Sequence, residues 1–174
     1  MRASPIRPAP RRTKADREND RTSLDRALAH RLFLIVRRSG GGGGGRGDDP
    51  VMAPWQFIGG DVRGAETIRA AAERVTAAAL GKPPRTAFAD AAVDGVQLFF
   101  VGNCPAGWTW EVFSPEERKR EGFYGRRLFF NRCQLIEGTP ALDTTLYPEH
   151  LWVTKEEFPE YFGEELGKYL AKLC

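Results

Sequence analysis

Residues 66–80 constrain the fold more than any other stretch of the chain. Ile68, Ala71, Ala72, Val75, Ala78 and Ala79 recur at helical spacing and form one apolar stripe, and Gly81 with Pro83 and Pro84 stops the run. A helix with a single apolar face has to be covered by a sheet or by another helix. The sheet is supplied by short apolar runs, rich in branched and aromatic residues and of strand length, at 31–38, 51–58, 95–102, 108–113, 127–136 and 151–154. Two helical stretches close the chain, 156–162 and 164–173, the second presenting Leu166, Tyr169, Leu170 and Leu173 on one side. Strands interleaved with helices predict an α/β fold whose sheet is covered on both faces. The charged stretch 114–125, with Glu116, Glu117, Arg118, Lys119, Arg120 and Glu121, reads as a solvated excursion.

Two segments stand outside this frame. Residues 40–45 are six consecutive glycines, and 40–50 is expected to be a Gly-rich loop; the GxxxxGK[ST] pattern of a phosphate-cradling loop is absent. Residues 1–26 hold eight Lys or Arg against four Asp or Glu, whereas the other 148 residues hold 18 against 19, so the excess positive charge belongs to the N-terminal segment. Pro5, Pro8 and Pro10 with almost no apolar residue before Leu24 leave that segment too little to bury, and it is expected to be a basic, mostly extended arm. The expected organisation is therefore an arm at 1–26 and one domain at 27–174. Arg7, Arg11, Arg12 and Lys14 are the arm's candidate contacts to phosphates or to acidic partners, and Arg118, Lys119, Arg120, Arg126 and Arg127 form a second candidate cluster. The plain alternative is a solvated tail or an import peptide, with which Asp16, Glu18, Asp20 and Asp25 sit badly.

A chain of 174 residues, 41% apolar and 28% charged, suits one globular domain. No apolar run approaches the roughly 18 residues of a membrane-spanning helix, so a soluble protein is expected. Cys104, Cys133 and Cys174 are few, odd in number and far apart, which fits neither a disulfide framework nor a metal knuckle and favours a reducing compartment. His30 and His150 are isolated from any catalytic array. Glu66 and Glu73 lie seven residues apart on one helix face and could hold an ion, but Arg69 and Arg74 beside them make an ion-paired face the better expectation. No cofactor is indicated.

Gly60, five residues, Glu66, Arg74 eight positions later and Gly81 closing the helix reproduce the frame of the Nudix box, a loop, a helix and a loop. In that family the glutamates of R-E-U-x-E-E bind the divalent cations that polarise a pyrophosphate bond, because Mg²⁺ takes hard oxygen ligands. Here the three glutamate positions are Val75, Ala78 and Ala79, and none of these side chains has a lone pair to offer. What the resemblance leaves is structural: Gly60 and Gly81 for the turns, and Glu66 with Arg74 as a brace between loop and helix. All three replacements fall on the apolar stripe, so the face is expected to pack rather than bind metal, and no catalytic or metal site is expected.

Further segments resemble one catalytically silent branch of this superfamily, the family of Nudix-like protein forty-six of the mitochondrial large ribosomal subunit. They are the strand at 31–38, Trp55 to Gly60 leading into the box, the helix from Glu66 to Arg74, Phe100 to Gly107 (F-x-G-N-x-P-x-G), Gly125 to Phe130 and the W-x-T-K-E-E-like stretch from Leu151 to Glu157. The resemblance covers about residues 31–173 and departs from the family in the glycine run, the short N-terminal region and the doubled Arg126, Arg127. It implies a Nudix-like α/β/α sandwich with a mixed sheet and a structural role in the mitochondrial matrix, near the central protuberance. It also implies ribosomal proteins as partners, with rRNA phosphates as a second option, and neither membrane nor small-molecule substrate. The alternatives are a Nudix hydrolase that holds metal on relocated carboxylates such as Glu111 or Glu137, and a module that binds nucleotides without cleaving them.

Overall fold

The strand Phe33–Arg37 (β1) has Ile35 and Val36 both fully buried, although successive strand residues point to opposite faces. Its sheet is therefore covered on both sides, as the near-continuous apolar run requires. In the computed structural model, which describes residues 10, 12–38, 55–80, 92–93 and 96–174, β1 is the centre of a three-stranded antiparallel sheet. Trp55–Gln56 (β2) flanks it on one side and Glu149–Val153 (β8) on the other, with Ile35 opposite Leu151. Ile35 packs with Val153, Phe158 and Leu170, which places the helices Phe158–Phe162 (α4) and Glu164–Leu173 (α5) on one face. Val36 packs with Ala79 and Tyr147, so the end of the helix Ile68–Ala79 (α2) covers the other. Thr67 caps α2 by accepting the Ala70 N–H at 3.1 Å.

A second sheet joins Ala92–Val93 (β3), Val96–Phe100 (β4) and Cys133–Glu137 (β7), and a hairpin of Gly107–Val112 (β5) and Gly125–Phe130 (β6) forms a third. Every strand pair among the described residues is antiparallel, where the resemblance implied a mixed sheet. The expected single strand at 127–136 is two, β6 and β7, which belong to different sheets. The chain turns at Asn131 and Arg132, where the Arg132 carbonyl accepts the Val101 N–H at 2.9 Å. The stretch expected to be a solvated excursion is a capped helix, Pro115–Glu121 (α3), and β8 leads into α4 through a single 3-10 turn, Lys155–Glu157.

The segment read as a mostly extended arm is folded over its described part. Lys14–Glu18 (α1) begins in a capping box in which Thr13 and Asp16 satisfy each other's backbone N–H groups. Asp16 also accepts the Ala27 N–H at 2.8 Å, and Ala15 is buried. Arg21 and Arg26, counted as arm charges, are used inside the fold. Arg26 is bidentate to Glu157 at 2.7 and 2.9 Å and donates to the Trp152 carbonyl at 2.7 Å, while Arg21 binds Glu160 at 2.8 Å and the Tyr161 hydroxyl. Ion pairs and caps thus supply the ordering energy that the scarcity of apolar residues withheld. The glycine run at 40–50, residues 51–54 of the strand expected at 51–58, Gly81, Arg7 and Arg11 lie outside the described residues.

Candidate functional site

The loop ahead of α2 is tied to the helix by one guanidinium. Arg74 donates Nη2–H to Glu66 Oε1 at 2.5 Å and to the Asp61 carbonyl at 2.8 Å, and Nε–H to Glu66 Oε2 at 3.1 Å. Glu66 Oε1 also accepts the Arg63 N–H at 2.7 Å. The Arg74 guanidinium, with help from the Arg63 amide, holds the Glu66 carboxyl down to about 2. Gly60 lies against this helix so closely that a Cβ there would stand 3.0 Å from Val75 Cγ2. Glu73, the other carboxylate considered for metal, is bound by Arg69 Nε at 2.5 Å. Arg69 also donates to the Gly102 carbonyl and lies 5.2 Å from the Phe100 ring centroid.

The three positions where the Nudix box carries glutamates behave unequally. Ala79 is buried and packs on Val36 and Tyr147, and its carbonyl accepts the Asp143 N–H at 2.7 Å. Val75 is half-buried against Gly60, whereas Ala78 is exposed, so of the three only Ala79 joins the core, Val75 packs on the loop, and the expectation of a packed face fails for Ala78. Among the described residues no three His, Cys, Asp or Glu side chains come together in a way that could hold a metal ion. Glu111, one of the relocated ligands considered, is paired with Arg126 at 2.5 Å, and Glu137 is exposed at the end of β7. The three cysteines are exposed and free, and His30 is exposed.

Of the N-terminal candidates within the described residues, Arg12 is exposed and Lys14 pairs loosely with Glu18 at 3.8 Å. The second cluster is divided between α3 and the β5–β6 hairpin, and its members are differently engaged. Arg118 lies 3.9 Å from the Tyr124 ring centroid and donates to the Phe113 carbonyl at 2.8 Å. Arg120 pairs with Glu121 at 3.0 Å, Arg126 with Glu111, and Lys119 is exposed. Arg127 sits over two indoles, 5.4 Å from the Trp108 centroid and 5.2 Å from that of Trp110.

Charge alone did not reveal what surrounds Arg127. Along β5 burial alternates, and Trp108, Trp110 and Val112 are on the exposed side. Across the hairpin Trp108 faces Phe129 and Trp110 faces Arg127, so the outward face of this hairpin is aromatic. Its opposite face packs on α5. A Cβ at Gly107 would stand 2.6 Å from Leu173 Cδ1, and the Tyr169 hydroxyl donates to the Trp108 carbonyl at 2.7 Å while accepting the Trp108 N–H at 3.1 Å. The signal was present in the sequence as a two-residue period of large side chains, which marks a half-buried strand without saying which half is buried.

Comparison with known proteins supplies what geometry cannot. Large ribosomal subunit protein mL46 of Rattus norvegicus is 30% identical over 168 residues, 97% of this chain, and that of Bos taurus is 31% identical over 170 residues, again 97%. The chain is a homologue of mL46. The Neurospora crassa mL46 is 28% identical over 164 residues, 91% of this chain. The chain spans about half the length of the mammalian relatives, 51% in both cases, and 39% of the fungal one. No protein-family profile matches the chain.

Proposed function

We propose that the chain is a non-catalytic structural component of the mitochondrial large ribosomal subunit, working in the mitochondrial matrix. On this reading a degenerate Nudix-like domain, with the segment from Thr13 onward strapped onto it, docks on ribosomal proteins near the central protuberance, with rRNA phosphates as further contacts. The observation that carries the proposal is similarity to mL46 over 97% of the chain. The Nudix-like part of the reading is supported by the Glu66–Arg74 brace between loop and helix and by helices on both faces of the first sheet. The absence of turnover is supported by Val75, Ala78 and Ala79 at the glutamate positions and by the engagement of Glu66 and Glu73 with arginines. A carboxylate already bidentate to a guanidinium would have to give up that pair to ligate Mg²⁺.

The test is sedimentation of the tagged full chain from mitochondrial extract on a sucrose gradient. Co-migration with large subunits that survives high salt is expected, and a chain found only among free proteins overturns the proposal. In parallel, the purified chain is expected to release no phosphate from nucleoside diphosphate derivatives with Mg²⁺ or Mn²⁺. Turnover that is abolished by Glu66→Gln or Glu73→Gln would show an enzyme instead.

A further inference from the structure

The outward face of the β5–β6 hairpin carries Trp108, 52% exposed, and Trp110, 44% exposed, beside Val112 and opposite Phe129 and Arg127. A contiguous aromatic face turned to solvent marks an interaction surface rather than ordinary surface hydrophobicity. Arg127 lies over both indoles, and among the described residues no carboxylate pairs with it. A guanidinium held against an aromatic face keeps its in-plane N–H donors free, and such a fork matches a carboxylate or a phosphate in two-point fashion.

Charge balance decides between these two anions. A nucleic-acid backbone is bound by several unpaired cations that each neutralise a phosphate. Residues 107–130 instead hold five cations against four carboxylates, and Arg126 and Arg120 are already paired with Glu111 and Glu121. On the aromatic face itself Arg127 is the one cation, since Arg118 is held by the Phe113 carbonyl and the Tyr124 ring and Lys119 belongs to α3; such a centre has the anatomy of a protein-interface core, where Trp, Tyr and Arg dominate the binding energy. We infer that this hairpin face is a docking surface for a protein partner that sets one Asp or Glu among apolar side chains, its carboxylate closing on Arg127 and its apolar groups covering Trp108, Trp110 and Phe129. The inference rests on the ribosomal reading above for the setting in which the partner is met.

Photo-crosslinking in the assembled particle tests it. The full chain is expressed in mitochondria with Phe129 replaced by a benzophenone-bearing phenylalanine, large subunits are collected from a gradient, irradiated, and the attached material is identified by mass spectrometry. The expected product is a peptide of one ribosomal protein with an Asp or Glu next to the attachment point. In an Arg127→Glu background the yield should fall about tenfold or more, because the partner's carboxylate then meets a like charge. Arg127→Gln is the second variant, since it removes the charge without introducing repulsion, and it too should lower the yield; a Lys168→Glu control, at an exposed position of α5 outside both basic clusters, should leave it unchanged. Attachment to RNA, to a second copy of the chain or to a peptide without a nearby carboxylate overturns the inference, as does undiminished yield in either folded Arg127 variant. A chain that sediments with the subunit yet gives no product overturns the surface alone. A chain that does not sediment with the subunit overturns the ribosomal reading and this inference with it.

Discussion

Glu66 and Arg74 set the balance of the box at the scale of single residues. The folded Glu66 carboxyl titrates at about 2, below its ordinary value of 4.5, because Arg74 and the Arg63 amide favour its charged form. A carboxyl with a depressed folded pKa contributes stability above its unfolded pKa and loses it as pH falls toward the folded one. The wild type should therefore exceed Glu66→Gln in stability at pH 6, and the gap should close as pH falls from 4.5 towards 2. Urea midpoints for both proteins across that range measure this, and a gap independent of pH would contradict it. Arg26 and Glu157 make the other decisive pair, with side chains only 10% and 16% exposed. Burial pushes the Glu157 carboxyl up, but Arg26 and the Thr154 amide outweigh it and the net shift is downward. Removing one partner of a shielded pair strands the other, so Arg26→Ala should cost about 3 kcal/mol of unfolding free energy in urea. A cost no larger than that of an exposed pair, below about 1 kcal/mol, would mean that this pair is effectively solvated.

At the scale of elements, α3 and the α4–α5 corner can be tested separately. Ser114 accepts the Glu117 N–H at 3.4 Å while Glu117 accepts the Ser114 N–H at 2.7 Å, and Gly122 ends α3 with φ of 76°. Ser114→Ala should loosen this helix by about 1 kcal/mol, visible as faster amide exchange at 118–121 with the rest of the chain unchanged. Where α5 crosses α4, a Cβ at Gly167 would stand 2.6 Å from Pro159 N and 2.7 Å from its Cα, both backbone atoms. Gly167→Ala should cost about 1–3 kcal/mol by thermal denaturation, and a neutral result would mean that the two helices can part easily. The sequence made α2 and α5 legible because their apolar positions keep a 3.6-residue period long enough to be seen. It hid α3, whose residues bury no side chain completely; the legible clue was the capping pattern Ser114, Pro115, Glu117 and not hydrophobicity. The single expected strand at 127–136 failed because Leu128 and Phe129 before the turn, and Leu135 and Ile136 after it, keep one apolar texture while the chain changes sheets. The brace at Glu66 was implied by the resemblance to the Nudix box, but the aromatic face around Arg127 was not legible, because alternation of side chains is the same whichever side faces the core.

For the whole molecule, the position of the boundary between basic extension and domain is the main consequence. Counting charges placed that boundary at residue 26, yet Arg21 and Arg26 are fastened to Glu160 and Glu157 near the chain's other end, and the Arg21 carbonyl accepts the Trp152 N–H at 2.7 Å. The segment from Thr13 onward therefore works as a strap joining the N-terminal part to β8, the 3-10 turn and α4, and only the residues before it remain candidates for threading between partners. Limited trypsin digestion of the native full chain distinguishes the two boundaries, since a protease needs local opening to accept a bond. Cleavage after exposed Arg12 should be fast, and cleavage after buried Arg26 should be slower by about tenfold or more, with rates read bond by bond by mass spectrometry. Glu157→Gln weakens the Arg26 clasp, so it should speed cleavage after Arg26 and leave the Arg12 rate alone. Equal wild-type rates at the two sites would return the strap to the status of a loose arm, and the basic surface available to partners would then extend to residue 26.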